Sequence, residues 1–386
     1  MAEQRLARIP KPLLAAAVLA VIAAGLATLA AIAGSVLPTR TGPPVEHLVV
    51  ERTILVPGTI ELVVRNTGPD PVTVAQASVN DSFVALTGGD EPIGRLATAT
   101  LRLDYPWQDG MPYAVSLLTS TGAVIEHQVP VAVATPETTP TSIARMAALG
   151  AMIGIAPVLL GMSALPLLRR AGPTASRVLM ALTVGLLGFL AVDATLEGFE
   201  LSAQAGGAFG GNLLFVLGVV IAFLALATTE RVLPKGAAGP RLALLIAIGI
   251  GLHNLGEGLA VGSALAVGEL ALGISLVVGF ALHNTTEGIA VVAPLTTEPV
   301  ARLRLLVLGL VAGAPAMLGT VLGATFTTVP QATFLLGLGV GAIVQVVVLL
   351  APRLRSSPTG TIDGPVIGGL AAGVLVMYAT GLLVSA

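Results

Sequence analysis

The chain contains no cysteine in 386 residues, only 10% charged and 3% aromatic residues, a single tryptophan and four histidines. Without thiols there are no disulfides, iron–sulfur clusters or thiolate zinc sites, so any metal must be held by nitrogen and oxygen. A net charge of -2 and the lack of any basic run exclude nucleic acid as a partner. Soluble domains average about 25% charged residues. A chain with less than half that share, 55% hydrophobic residues and 46 glycines is a polytopic membrane protein whose surroundings are the lipid bilayer.

Composition divides the chain into three parts. Residues 1–40 hold Arg5, Arg8 and Lys11 ahead of an apolar stretch over 13–37, an order that places the N-terminus in the cytoplasm. Ala31-Ile32-Ala33 resembles a signal-peptidase site, but the stretch exceeds the roughly 7–15 apolar residues of a signal, which predicts a retained anchor. Residues 41–140 show Pro and Gly punctuation, alternation as in Glu61-Leu62-Val63-Val64-Arg65, and turn signals at Asn66-Thr67-Gly68-Pro69-Asp70-Pro71 and Gly88-Gly89-Asp90. They predict a small exported immunoglobulin-like β-sandwich, ending in a linker from Thr135 to Thr141 with Pro136 and Pro140.

Residues 141–386 carry eight apolar spans, near 143–168, 178–200, 211–230, 242–266, 270–293, 303–326, 331–351 and 365–385, each about the 20 residues a bilayer requires. With the sandwich outside, Arg169, Arg170, Arg177, Arg231, Lys235, Arg241, Arg302, Arg304, Arg353 and Arg355 fall in loops facing the cytoplasm. No Lys or Arg falls in an outer loop between the eight spans. The expected fold is an all-α polytopic bundle of eight helices in the plasma membrane, plus an N-terminal transmembrane helix and a small all-β extracytoplasmic sandwich, with the C-terminus outside.

Two copies of one polar pattern interrupt the apolar spans: His253-Asn254-Leu255-Gly256-Glu257-Gly258 and His283-Asn284-Thr285-Thr286-Glu287-Gly288. Ionisable groups inside a bilayer are costly and by default line a pathway or bind something. In each copy His and Glu are four residues apart, on one helix face and roughly 5–6 Å apart at Cβ. One such helix offers an imidazole and a carboxylate; two facing helices can close a cage around a divalent cation. The helix with His253 runs outward and that with His283 inward, through a short turn near Gly268 and Glu269, so the set occurs twice in opposite orientation, as at the axis of an inverted repeat. A lone intramembrane His or Asn is more simply glue between helices, which does not account for two matching copies at one depth.

Eight helices with an extracytoplasmic start, and H-N-x-x-E-G on the fourth and fifth, resemble the bacterial and archaeal branch of the ZIP (Zrt/Irt-like) family of divalent-metal transporters over residues 143–386. The resemblance implies metal ligands at His253, Asn254, Glu257, His283, Asn284 and Glu287, and Zn²⁺ as transported substrate, with iron, manganese and cadmium as alternatives. It further implies movement into the cytoplasm by alternating access, no enzymatic activity, and a homodimer. The chain departs from the family where the motif proline becomes Gly256 and Thr286, where Ala314 replaces an acid before Pro315, and where Val348-Leu349-Leu350 lacks a carboxylate, leaving Gln345 as the polar residue of that helix. The family's cytoplasmic histidine-rich loop is missing between Glu230 and Arg241.

Asp193, Glu197 and Glu200 follow i, i+4, i+7 spacing and project from one helix face; Asp193 and Glu197 are candidates for gathering cations at an entrance or accepting protons. His47, His127, Asp104 and Glu126 read as scattered residues of the sandwich, and Asn80-Asp81-Ser82 matches a glycosylation sequon. Two other functions fit the same ligands: a membrane metal sensor with little transport, and an intramembrane metal-dependent hydrolase, although H-E-x-x-H is absent.

Overall fold

The computed structural model describes residues 20–21, 23–25, 27–28, 42–135, 137–170, 172–204, 208–232, 238–266, 270–325, 328–355 and 361–385. The chain forms two compact units, Met1–Pro44 and Val45–Ala386. In the first, the described residues from 20 to 28 are helical. The remainder of the expected anchor, with Arg5, Arg8 and Lys11, lies outside the described residues, as do Lys235 and the turn at Gly268 and Glu269.

The second unit opens with seven antiparallel strands, β1 (Leu48–Val56), β2 (Thr59–Asn66), β3 (Val74–Val79), β4 (Ser82–Thr87), β5 (Thr98–Asp104), β6 (Tyr113–Thr119) and β7 (Val124–Val129), in the order β1-β2-β5-β4-β3-β6-β7. Turn chemistry sets the hairpins. Pro57 fixes its own φ and Gly58 takes φ +80°, closing β1 on β2 in two residues. Asn80 and Asp81 both have positive φ between β3 and β4, the two-residue turn that matches strand twist. The side chain of Asn80 then accepts from Ala114 N at 2.9 Å, which gives the sequon asparagine a structural task. Alternating residues of β2, β3, β5 and β6, among them Ile60, Leu62, Ala77, Val79, Leu101, Leu103, Val115 and Leu117, are buried in one cluster. The sheet therefore folds over on itself across β4, which pairs with both β3 and β5.

Eight helices of membrane-spanning length and hydropathy follow among the described residues: α1 (Pro140–Leu168), α2 (Thr174–Ala203), α3 (Asn212–Val232), α4 (Ala238–Leu265), α5 (Leu276–Leu295), α6 (Arg302–Thr325), α7 (Val329–Leu354) and α8 (Gly364–Leu382). They are the eight expected spans with altered ends. Helix α1 starts at Pro140 because Thr139 and Ser142 form a capping box and Pro is tolerated in the first turn. Arg177, Arg241, Arg302 and Arg304, expected in loops, lie in first helical turns, and Arg231 lies in the last turn of α3; the charge of Arg177 is met by Asp363 at 3.0 Å.

Helix α4 occupies the centre, with 72% of its most apolar window buried against 22% for α3 and α8. The outward faces of the outer helices carry exposed Leu213, Leu224, Leu375 and Leu382, an apolar surface suited to lipid. Sheet and bundle meet at two arginines. A bulge in β1 between Val50 and Arg52 re-aims consecutive side chains: Arg52 donates to the carbonyl of Thr325 at the end of α6, while Glu51 pairs with Arg65, whose guanidinium lies 5.2 Å from the Phe209 ring between α2 and α3.

Candidate metal centre

Both copies of the polar pattern face the interior. His253, Asn254 and Glu257 on α4 and His283, Asn284 and Glu287 on α5 are all buried, between 0% and 6% exposed. Close helix approach places them. A Cβ on Gly258 of α4 would collide with the Ala316 carbonyl of α6, and one on Gly288 of α5 with the Val158 carbonyl of α1. The reverse contacts match, Gly319 against the Leu255 carbonyl and Gly161 against the Thr285 carbonyl. One sequence offset relates Val158 to Ala316 and Gly161 to Gly319, and another relates Leu255 to Thr285 and Gly258 to Gly288. Thus α6 holds α4 as α1 holds α5. Gly256 plays no such part, since a Cβ there meets only the Leu336 side chain at 3.3 Å. Thr286, in the place of the motif proline, bonds back to the His283 carbonyl at 2.6 Å.

Glu257 is the hub. Its Oε1 accepts from His253 Nε2 at 3.0 Å and from His283 Nε2, and its Oε2 accepts from Asn284 Nδ2 at 2.9 Å. Phe280 sets the other side of the His283 ring, edge-on at 5.3 Å between centroids. Both asparagines spend their amide hydrogens on neighbouring helices: Asn254 Nδ2 donates to the Ala312 carbonyl of α6 at 3.0 Å, and Asn284 Nδ2 to the Ile153 carbonyl of α1 at 2.9 Å. A carbonyl can only accept, so each amide must turn its nitrogen to the helix and its Oδ1 away from it. Both Oδ1 atoms, both oxygens of Glu287 and Nδ1 of His253 are then buried with no hydrogen-bond partner. Asn254, the polar neighbour of Glu287, gives one Nδ2 hydrogen to α6 and keeps a second that makes no full hydrogen bond to the carboxylate.

Unpartnered buried acceptors each cost about 1–3 kcal/mol, more when charged. A cation is the ligand that would satisfy acceptors of this kind. Ligand atoms of His253, His283 and Glu287 lie within 4.8 Å of one another, close to the roughly 4.2 Å that separates two ligands on opposite sides of a cation with 2.1 Å bonds. Among the described residues no other group of His, Asp and Glu has that geometry. The candidate entrance residues stand apart from it. Asp193 and Glu197 on α2 are exposed, yet Glu197 interacts electrostatically with His253 and Glu257, and Asp193 with His283. In the sandwich His127 bonds Thr53 Oγ1 at 2.8 Å and joins no cluster. On α7 the buried Gln345 donates to Glu230 of α3 at 3.5 Å, an acidic partner that the sequence of α7 alone could not reveal.

The carbonyls of Ile153 and Ala312 were not anticipated, although a signal for them exists. Ala156-Pro157-Val158-Leu159-Leu160-Gly161 in α1 and Ala314-Pro315-Ala316-Met317-Leu318-Gly319 in α6 share the pattern A-P-x-x-L-G. Compared with known protein families the chain matches none, and no curated protein matches it.

Proposed function

We propose that the chain is a ZIP-like transporter that carries a divalent transition metal, zinc first, across the membrane through the site between α4 and α5. The observation that carries this reading is the set of unpartnered buried acceptors, two amide oxygens, both oxygens of Glu287 and one imidazole nitrogen, which a cation would satisfy together. Imidazole, carboxylate and amide oxygen without thiolate suit Zn²⁺, Fe²⁺, Mn²⁺ and Cd²⁺. The paired approaches of α4 to α6 and of α5 to α1 support an inverted repeat with the site on its axis. Arginines at the helix ends opposite the sandwich support an orientation with the sandwich outside and flow toward the cytoplasm. The strand order, an ABED sheet continued by CFG, supports an immunoglobulin-like reading of residues 45–135.

Zinc uptake by vesicles containing the full chain tests the proposal. Wild type is expected to show saturable uptake, and His253→Ala and Glu287→Ala are expected to lose it at unchanged protein level. Both imidazoles turn Nε2 to Glu257, which leaves Nδ1 of His253 as the free lone pair that a cation would take. Wild-type uptake in either variant would sink the reading.

A further inference from the structure

The two asparagines differ from the other four ligands in being gripped from behind, and the grip comes from a broken helix in each case. In α1 the carbonyl of Ile153 lies four residues before Pro157. Proline has no N–H, so the usual partner of that carbonyl does not exist. A π-turn over Ala151–Ile155 loosens the same segment. In α6 the carbonyl of Ala312 lies on the last turn before a break at Ala314 and Pro315, where Met317 N bonds the Ala314 carbonyl in a three-residue step instead of four. The N–H missing at Pro315 is the one that Val311 would use, so in α6 the Ala312 carbonyl is freed by the break in the turn and not by the lost N–H of the proline itself. Each points its lone pair at an asparagine, and each asparagine is left with a buried, unpartnered Oδ1.

We infer that Pro157 and Pro315 are positioning residues for the site: by breaking α1 and α6 they expose the carbonyls of Ile153 and Ala312, which turn Asn284 and Asn254 so that their amide oxygens face the cation. This rests on the proposed metal site. It makes the asparagines ligands through oxygen only, and it ties the occupancy of the site to the shape of two helices that carry no ligand themselves.

Zinc affinity of the purified full chain, measured by calorimetry, tests it through double-mutant cycles. Pro157→Ala restores an N–H for Ile153 and is expected to weaken zinc binding by roughly 10–100-fold, the usual effect of losing a group that orients a ligand. Combined with Asn284→Ala it is expected to add nothing further, whereas combined with Asn254→Ala the two losses should multiply. Pro315→Ala, which lets the turn at Ala314 close into continuous helix and returns the Ala316 N–H to the Ala312 carbonyl, is expected to show the same dependence on Asn254. A second pair of variants avoids the helix breaks: Asn254→Asp and Asn284→Asp supply better oxygen ligands but no N–H for the carbonyl. If the amide merely ligates, they bind zinc at least as well as wild type; if it must be held from behind, they bind more weakly. Unchanged affinity in Pro157→Ala, multiplicative losses within the matched pairs, or tighter binding by both Asp variants would overturn the inference. Its failure is distinct from that of the metal site, which falls only if His253→Ala binds zinc as wild type does.

Discussion

Glu257 and Glu287 occupy the same place in their copies of the motif, yet their surroundings differ. Glu257 accepts from two imidazoles and one amide, whereas neither oxygen of Glu287 has a partner. Glu287 is therefore the residue for which a cation does most, and without metal it is a burden on the fold. Glu287→Gln, which removes the charge and keeps the shape, is expected to raise the unfolding midpoint of the metal-free protein. Glu257→Gln keeps an oxygen for the two imidazoles but sets an amide NH2 group against the Asn284 Nδ2 donor, and is expected to lower the stability by about 1–3 kcal/mol. Both variants should lose zinc binding. Scanning calorimetry with and without a chelator reads both effects, and a metal-free Glu287→Gln protein less stable than wild type would contradict this account. The identity and convergence of the six side chains were legible in the sequence because a four-residue spacing on a helix fixes a shared face. The asymmetry between the glutamates was not, because a carbonyl of α1, far away in the chain, decides where Asn284 puts its amide.

At the scale of elements, apolar periodicity located all eight spans, while their ends depended on capping that hydropathy does not register. Thr139, Pro140 and Ser142 begin α1, and Thr328, Pro330 and Gln331 begin α7 by the same device. In the sandwich, alternation revealed the strands, but pairing between distant ones was invisible. Strands β1 and β7 stand at the two ends of the strand order. Even so, His127 of β7 bonds Thr53 of β1, and Thr135 beyond β7 exchanges bonds with Leu55. These contacts close the folded sheet. Burial holds the His127 imidazole below its ordinary pKa, so folding favours the neutral ring. His127 is then expected to add no pH dependence above its unfolded value of about 6.5, and to cost the sandwich stability as pH falls below it toward the lowered folded value. Trp107, the one tryptophan of the chain, sits in this domain with its indole N–H on the Val56 carbonyl at 2.7 Å, so its fluorescence follows the sandwich alone. His127→Gln should flatten the acid limb of denaturant midpoints measured by that signal; an unchanged acid limb would mean that other groups cause it.

At the scale of the whole molecule, the sequence marks a linker between sandwich and bundle, and the structure gathers both into one compact unit. The linker's proline and the change in composition signal a boundary, but they carry no information on whether two arginines across it find partners. Arg52 meets the carbonyl end of α6, where a helix has unsatisfied acceptors and partial negative charge, a contact worth about 0.3–1 kcal/mol, rising to about 2 when partly buried. Arg65 over Phe209 adds about 0.5–1 kcal/mol. All six site side chains come from α4 and α5, and the groups that grip them come from α1 and α6. Among the described residues, their hydrogen bonds all go to α1, α4, α5 and α6 and none to the sheet. A chain beginning at Thr139, which keeps the helix cap and loses the sandwich, is therefore expected to insert into membranes and bind zinc within about threefold of the wild-type affinity, a change under about 0.7 kcal/mol. Arg52→Ala in the full chain should stay within the same limit while raising hydrogen exchange at the last turn of α6, which loses the guanidinium at its carbonyl end. A shortened chain that inserts but binds no zinc would show that the sandwich shapes the site, and that the pull of Arg52 on α6 reaches Ala312 and with it Asn254.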